Sequence, residues 1–141
     1  MFKKFCAGVN MKSFIMATLA VFVFIFLSDW LIHGKLLVGM YEETAHLWRA
    51  KDSMKDFFLF MVLGQLIIAD TFTFIYARGC EGKSWCEGLR FGITMGFLFS
   101  GGTLIWYAVA PYSQALLWSW IGANFFQTIG SGVIAGLIYK K

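Results

Sequence analysis

The chain has 141 residues, of which 59% are hydrophobic and 14% charged, and its net charge is +4. This composition excludes an ordinary soluble domain, in which about half of the residues are apolar and about a quarter charged. The length fits one domain, and that domain is built for lipid.

A helix that crosses about 30 Å of hydrocarbon at about 1.5 Å per residue needs about 20 mainly apolar residues. The first segment to meet this need is residues 13–33, with Asp29 as its only charge. Lys3, Lys4 and Lys12 precede it in the manner of a secretory leader. Its apolar run continues through Trp30 to Ile32 with no small-residue cleavage site, so a retained anchor is expected.

Residues 34–56 follow as an external interfacial segment. Leu37, Met40, Tyr41, Thr44, Ala45 and Trp48 fall at helical spacing there, and Glu42, His46 and Arg49 fall on another face. This pattern predicts a short amphipathic helix over residues 37–48 on the membrane surface. Leu37, Tyr41 and Trp48 would face lipid or bundle, and Glu42 and His46 water.

The second span, residues 57–77, carries only Asp70. The third, residues 85–110, holds Glu87 and Arg90 in its first turns, and Gly101, Gly102 and Thr103 mark a kink point within it. The fourth, residues 112–138, follows Pro111 and is uncharged. Apolar runs this continuous argue against a β-barrel, whose strands alternate. The expected fold is an all-α integral membrane protein, a four-transmembrane-helix bundle with a short external amphipathic helix.

Basic residues set the expected orientation. Lys3, Lys4 and Lys12, then Arg78 and Lys83, then Lys140 and Lys141 all fall on one side, opposed only by Glu81. On the other side Lys35, Arg49, Lys51 and Lys55 are balanced by Glu42, Glu43, Asp52 and Asp56. Both termini are therefore expected to be cytoplasmic. Topology accounts for the positive charge, and nucleic acid is not an expected partner.

Charges inside hydrocarbon are costly and call for partners. Asp70 and Arg90 lie at similar depth on neighbouring spans, which predicts an ion pair with Glu87 sharing the guanidinium. Gln65, Asn124 and Gln127 are placed to hydrogen-bond between helices. Asp29, His33, Glu42, Glu43, His46 and Arg49 form the expected external polar face.

Glu43 and His46 make a Glu-x-x-His, and His33 adds a second imidazole. A di-metal carboxylate bundle needs two such units and further glutamates. No metal or haem site is expected, the weak candidate ligands being His33, His46 and Glu43, and no cofactor is assigned. Cys6, Cys80 and Cys86 lack the two-residue gap of zinc and redox motifs and are expected as free thiols. Gly88, Gly92 and Gly96, extended by Ser100, and Gly132 with Gly136 form small-residue rows for close helix packing. Contact within the chain is favoured over contact between copies.

Residues 82–92, Gly-Lys-Ser-Trp-Cys-Glu-Gly-Leu-Arg-Phe-Gly, resemble a segment of small bacterial four-span membrane proteins grouped as a domain of unknown function. That resemblance implies a bacterial inner-membrane location and no particular activity. With no catalytic motif, the first functional expectation is a non-catalytic membrane subunit or scaffold that binds other membrane proteins or a second copy. A small proton or solute transporter using the intramembrane polar residues ranks second, and a metal- or haem-binding protein third.

Overall fold

A computed structural model describes residues 8–50, 52–79, 81 and 84–141. Lys3, Lys4, Cys6, Lys51, Cys80, Gly82 and Lys83 lie outside the described residues. Within the described residues the α-helices are, in order, α1 (Met11–Leu31), the short α2 (Val38–Glu43), α3 (Phe58–Gly79), α4 (Trp85–Val109) and α5 (Gln114–Ile138). No strand occurs among the described residues. With their flanking turns, α1, α3, α4 and α5 run 25 to 27 residues, or about 37–40 Å, enough to cross a bilayer. The fold is an all-α bundle of four helices long and apolar enough to span a membrane.

Helix ends follow local chemistry. The Asn10 side chain accepts from the Ser13 N–H to start α1, Ser84 from Cys86 to start α4, and Ser113 from Leu116 to start α5. Pro111 lies in the tight turn before Ser113, where Tyr112 N–H donates to the Ala110 carbonyl at 2.8 Å. At the end of the bundle holding the last residues of α5, the Asn10 N–H reaches the Tyr139 hydroxyl at 3.2 Å. This is the terminal end. The loop end carries residues 32–57 and the turn at 110–113.

The helices pack as two pairs, α1 on α3 and α4 on α5, joined mainly by α1 against α5. The α4–α5 seam is backbone on backbone. A Cβ on Gly88 would overlap the Gly132 carbonyl, and one on Gly92 would overlap the Thr128 carbonyl. The reverse holds for Gly132 against Gly88, while Gly136 lies over Trp85 and Gly88, and Gly96 receives the Phe125 ring. The glycine rows thus pack within the chain, where van der Waals contact and not burial from water holds helices together in lipid. The apolar surface lies outside: Phe60 and Ile105 are each 69% exposed. A lipid-facing helix surface has that character.

Three sequence expectations change. The external segment is not one helix over 37–48. A π-helical turn (Ile32–Leu36) extends α1, and α2 and a 3-10 turn (Ala45–Leu47) follow before extended backbone at Trp48. Leu37 is nevertheless buried, Tyr41 and Trp48 are half-buried, and Glu42 and His46 are exposed. Inward aromatic contacts outweigh helical continuity there. Second, α4 runs unbroken through Gly101, Gly102 and Thr103, and Thr103 Oγ1 donates back to the Phe99 carbonyl. Third, Asp70 and Arg90 form no ion pair with each other; both are exposed. Their depths do match, since the Phe72 and Phe91 rings meet at 4.8 Å. However, α3 turns its buried face toward α1 and α4 turns its buried face toward α5, which leaves both charges on outer surfaces. Glu87 instead accepts from the Glu81 backbone N–H.

Candidate functional site

The polar centre of the bundle is Asp29, at the junction of α1, α3 and α5. Gln65 Nε2, from α3, donates to Asp29 Oδ2 at 2.5 Å, and Gln127 Nε2, from α5, donates to Oδ1 at 2.6 Å. The second Gln127 amide hydrogen goes to Ser28 Oγ at 3.0 Å, and that hydroxyl donates to the Ile25 carbonyl. Hydrogen bonds to a charged acceptor are about twice as strong as neutral ones. Two converging amides therefore offset part of the cost of holding a carboxylate among apolar helices. Sequence position assigns Asp29 to the external polar face; its side chain is 26% exposed and directed into the bundle.

One turn along, His33 Nε2 lies 3.7 Å from Asp29 Oδ1. On its other side His33 Nδ1 meets the Tyr41 hydroxyl at 2.5 Å, and Trp120 Nε1 donates to that hydroxyl at 2.8 Å. Because the indole N–H only donates, the tyrosyl hydrogen is left for Nδ1, which puts the hydrogen of a neutral imidazole on Nε2, facing Asp29. Tyr41, His33 and Asp29 form a directed chain. Burial raises the Tyr41 pKa above 10.0, with the Trp120 hydrogen bond acting against this and the Asp29 charge with it. The hydroxyl is therefore protonated at neutral pH.

Two half-open chambers flank this chain. The one nearer the loop end, of about 190 Å³, is lined by His33, Thr103, Trp120, Ala123, Asn124 and Gln127. The deeper one, of about 100 Å³, has Asp29, Asn124, Gln127, Thr128 and Ser131 on its polar side. Ile25, Ile68, Phe72 and Phe99 form its apolar side. Gln127 and Asn124 stand between the chambers and line both. His33 opens to one and Asp29 to the other. Asn124 is held there by donating to Thr103 Oγ1 at 2.9 Å.

Compared with protein-family models, curated proteins and solved structures, the chain has no match.

Over the loop-end chamber lies a packed aromatic group. Trp48 stacks on Tyr112 at 5.5 Å, Tyr112 meets Trp120 edge-on at 4.9 Å, and Tyr41 meets Trp48 at 5.3 Å. Trp48 Nε1 donates to Thr44 Oγ1 at 2.9 Å, which ties the loop down.

Of the residues singled out from sequence, Asp29, His33, Gln65, Asn124 and Gln127 come together. Glu42, Glu43, His46 and Arg49 remain exposed on the loop. Arg49 lies over the Phe57 ring at 3.9 Å. Among the described residues no three His, Cys, Asp or Glu side chains converge on a metal-sized site. Cys86 is a free thiol. Sequence reasoning misses Ser28, Tyr41, Thr103 and Trp120 as members of the network. The one signal it offers is that Asp29 and Gln65 lie at comparable distances from the loop end on consecutive spans.

Proposed function

We propose that this chain is a small proton-handling transporter of a bacterial inner membrane, with Asp29 as its proton-accepting group and His33 as the relay. The observation that carries the proposal is the placement of His33 and Asp29 in adjoining chambers, 3.7 Å apart. A proton taken up by His33 Nδ1 from the Tyr41 side is matched by release of the Nε2 proton to Asp29. Closing the Nε2 to Oδ1 gap to about 2.8 Å completes a hydrogen bond for that transfer. Gln65 and Gln127 hold the carboxylate still while its charge changes. Excess Lys and Arg at the terminal end support cytoplasmic termini, so the aromatic cover would face outward. A scaffold that only presents lipid-facing helices to other proteins gives no reason to hold a carboxylate in this way, so that reading takes second place.

The test is proton flux in proteoliposomes carrying a pH-sensitive dye, driven by a potassium diffusion potential. Wild-type vesicles should acidify faster than empty ones. Asp29→Asn and His33→Ala should abolish the difference while keeping helical content and a monodisperse elution profile. Flux equal in wild-type and Asp29→Asn vesicles would refute the assignment.

A further inference from the structure

We infer that the deeper chamber binds a small primary ammonium ion, which names the substrate class of the Asp29 centre and rests on the transporter reading. The inference comes from counting donors and acceptors. Both Gln127 amide hydrogens are engaged by Ser28 and Asp29, Asn124 donates to Thr103, and the Thr128 hydroxyl donates to the Asn124 carbonyl at 2.8 Å. What faces the chamber is therefore mainly oxygen: the amide oxygens of Gln127 and Asn124, hydroxyl lone pairs and a carboxylate. Ser131 supplies the independent sign of a ligand. It is 1% exposed and lines the chamber, yet its Oγ has no hydrogen-bond partner among the described residues. A buried hydroxyl without a partner costs about 1–3 kcal/mol, which a ligand or water in the chamber recovers.

Among the described residues no lysine or arginine lines the chamber, so its net field is that of Asp29. A ligand that carries positive charge and several N–H donors answers that set. The chamber is also two-sided. Opposite the oxygens stand Ile68, Phe72 and Phe99, on the side where α3 and α4 are joined only sparsely. A metal cation requires oxygen ligands around it, whereas an ammonium head with a short alkyl substituent needs oxygens on one side and apolar surface on the other. Phe72 and Phe99 add ring faces that attract a cation. About 100 Å³ holds several waters or one such head.

The test is calorimetric titration of the full chain in lipid nanodiscs at neutral pH with n-butylammonium, tetramethylammonium, sodium and n-butanol. The expected result is one saturable butylammonium site. Tetramethylammonium and sodium should fail to compete, and butanol should bind at least about tenfold more weakly, as loss of a charged hydrogen bond implies. Ser131→Ala removes only an unpartnered hydroxyl and should keep the fold while weakening butylammonium about tenfold. Asp29→Asn should abolish binding. Equal binding of butanol, competition by sodium, or an unchanged affinity in Ser131→Ala overturns the inference. Proton flux without any amine binding overturns it and leaves the proton reading standing. Amine binding with no proton flux supports this site and refutes that reading.

Discussion

Two junctions hold this bundle, and they are built from opposite materials. Along α4 and α5 the contact is glycine against backbone, with Gly88 facing Gly132 and Gly92 facing Thr128. Where α1, α3 and α5 meet, the contact is made by Asp29, Gln65 and Gln127, whose side chains fill the space that close packing eliminates elsewhere. The first junction leaves no room to move. The second holds chambers on both sides of a carboxylate. One pair of helices thus serves as a fixed wall, and function is placed where the packing is open.

Breaking the seam should have the largest effect. Gly132→Leu drives a side chain into the Gly88 carbonyl, and we expect a loss of more than about 3 kcal/mol, beyond usual overpacking, seen as collapse of the folded peak in detergent. At the polar junction Asp29→Leu removes the acceptor of Gln65 and Gln127 and should cost about 1–3 kcal/mol in thermal unfolding. Asp29→Asn, which retains one acceptor, should cost less. Trp120→Phe keeps the ring contacts but loses the indole donor to Tyr41, with an expected cost of about 1 kcal/mol.

A glycine away from the seam sharpens the contrast. A methyl group added at Gly101 would meet nothing within 4 Å, so Gly101→Ala should gain about 0.5–1 kcal/mol from helix propensity alone. The smallest effect concerns the outward charges. Asp70→Asn and Arg90→Gln, lying on separate outer surfaces, should combine additively to within about 0.5 kcal/mol. A coupling above that value would show that the two meet after all.

These contrasts mirror what can be read from the chain. Spans are legible because each must be about 20 apolar residues long. The seam is legible because glycines four apart share a helix face. Depth is legible as well, and Asp70 and Arg90 do share a level in the bundle. Rotation about the helix axis is not, because lipid-facing and bundle-facing surfaces are both apolar and periodicity carries little signal. Asp29 reads as external because it lies near the end of its span. Its partners are 36 and 98 residues away, and only tertiary packing brings them to it. The loop misleads in another way: its side chains sort as an amphipathic helix would sort them, but the backbone breaks between α2 and Trp48.

The π-helical turn (Ile32–Leu36) carries a consequence of its own. A π turn holds one residue more than the α path it replaces, so α1 ends with slack in its register just where His33 sits. If that turn tightened into an α-helix, the surplus residue would pass into the loop and the imidazole would swing by about 100° relative to Asp29, away from Tyr41. The same five residues would thus act as a rotary coupling, in which a pull on the aromatic cover is converted into connection or disconnection of the relay.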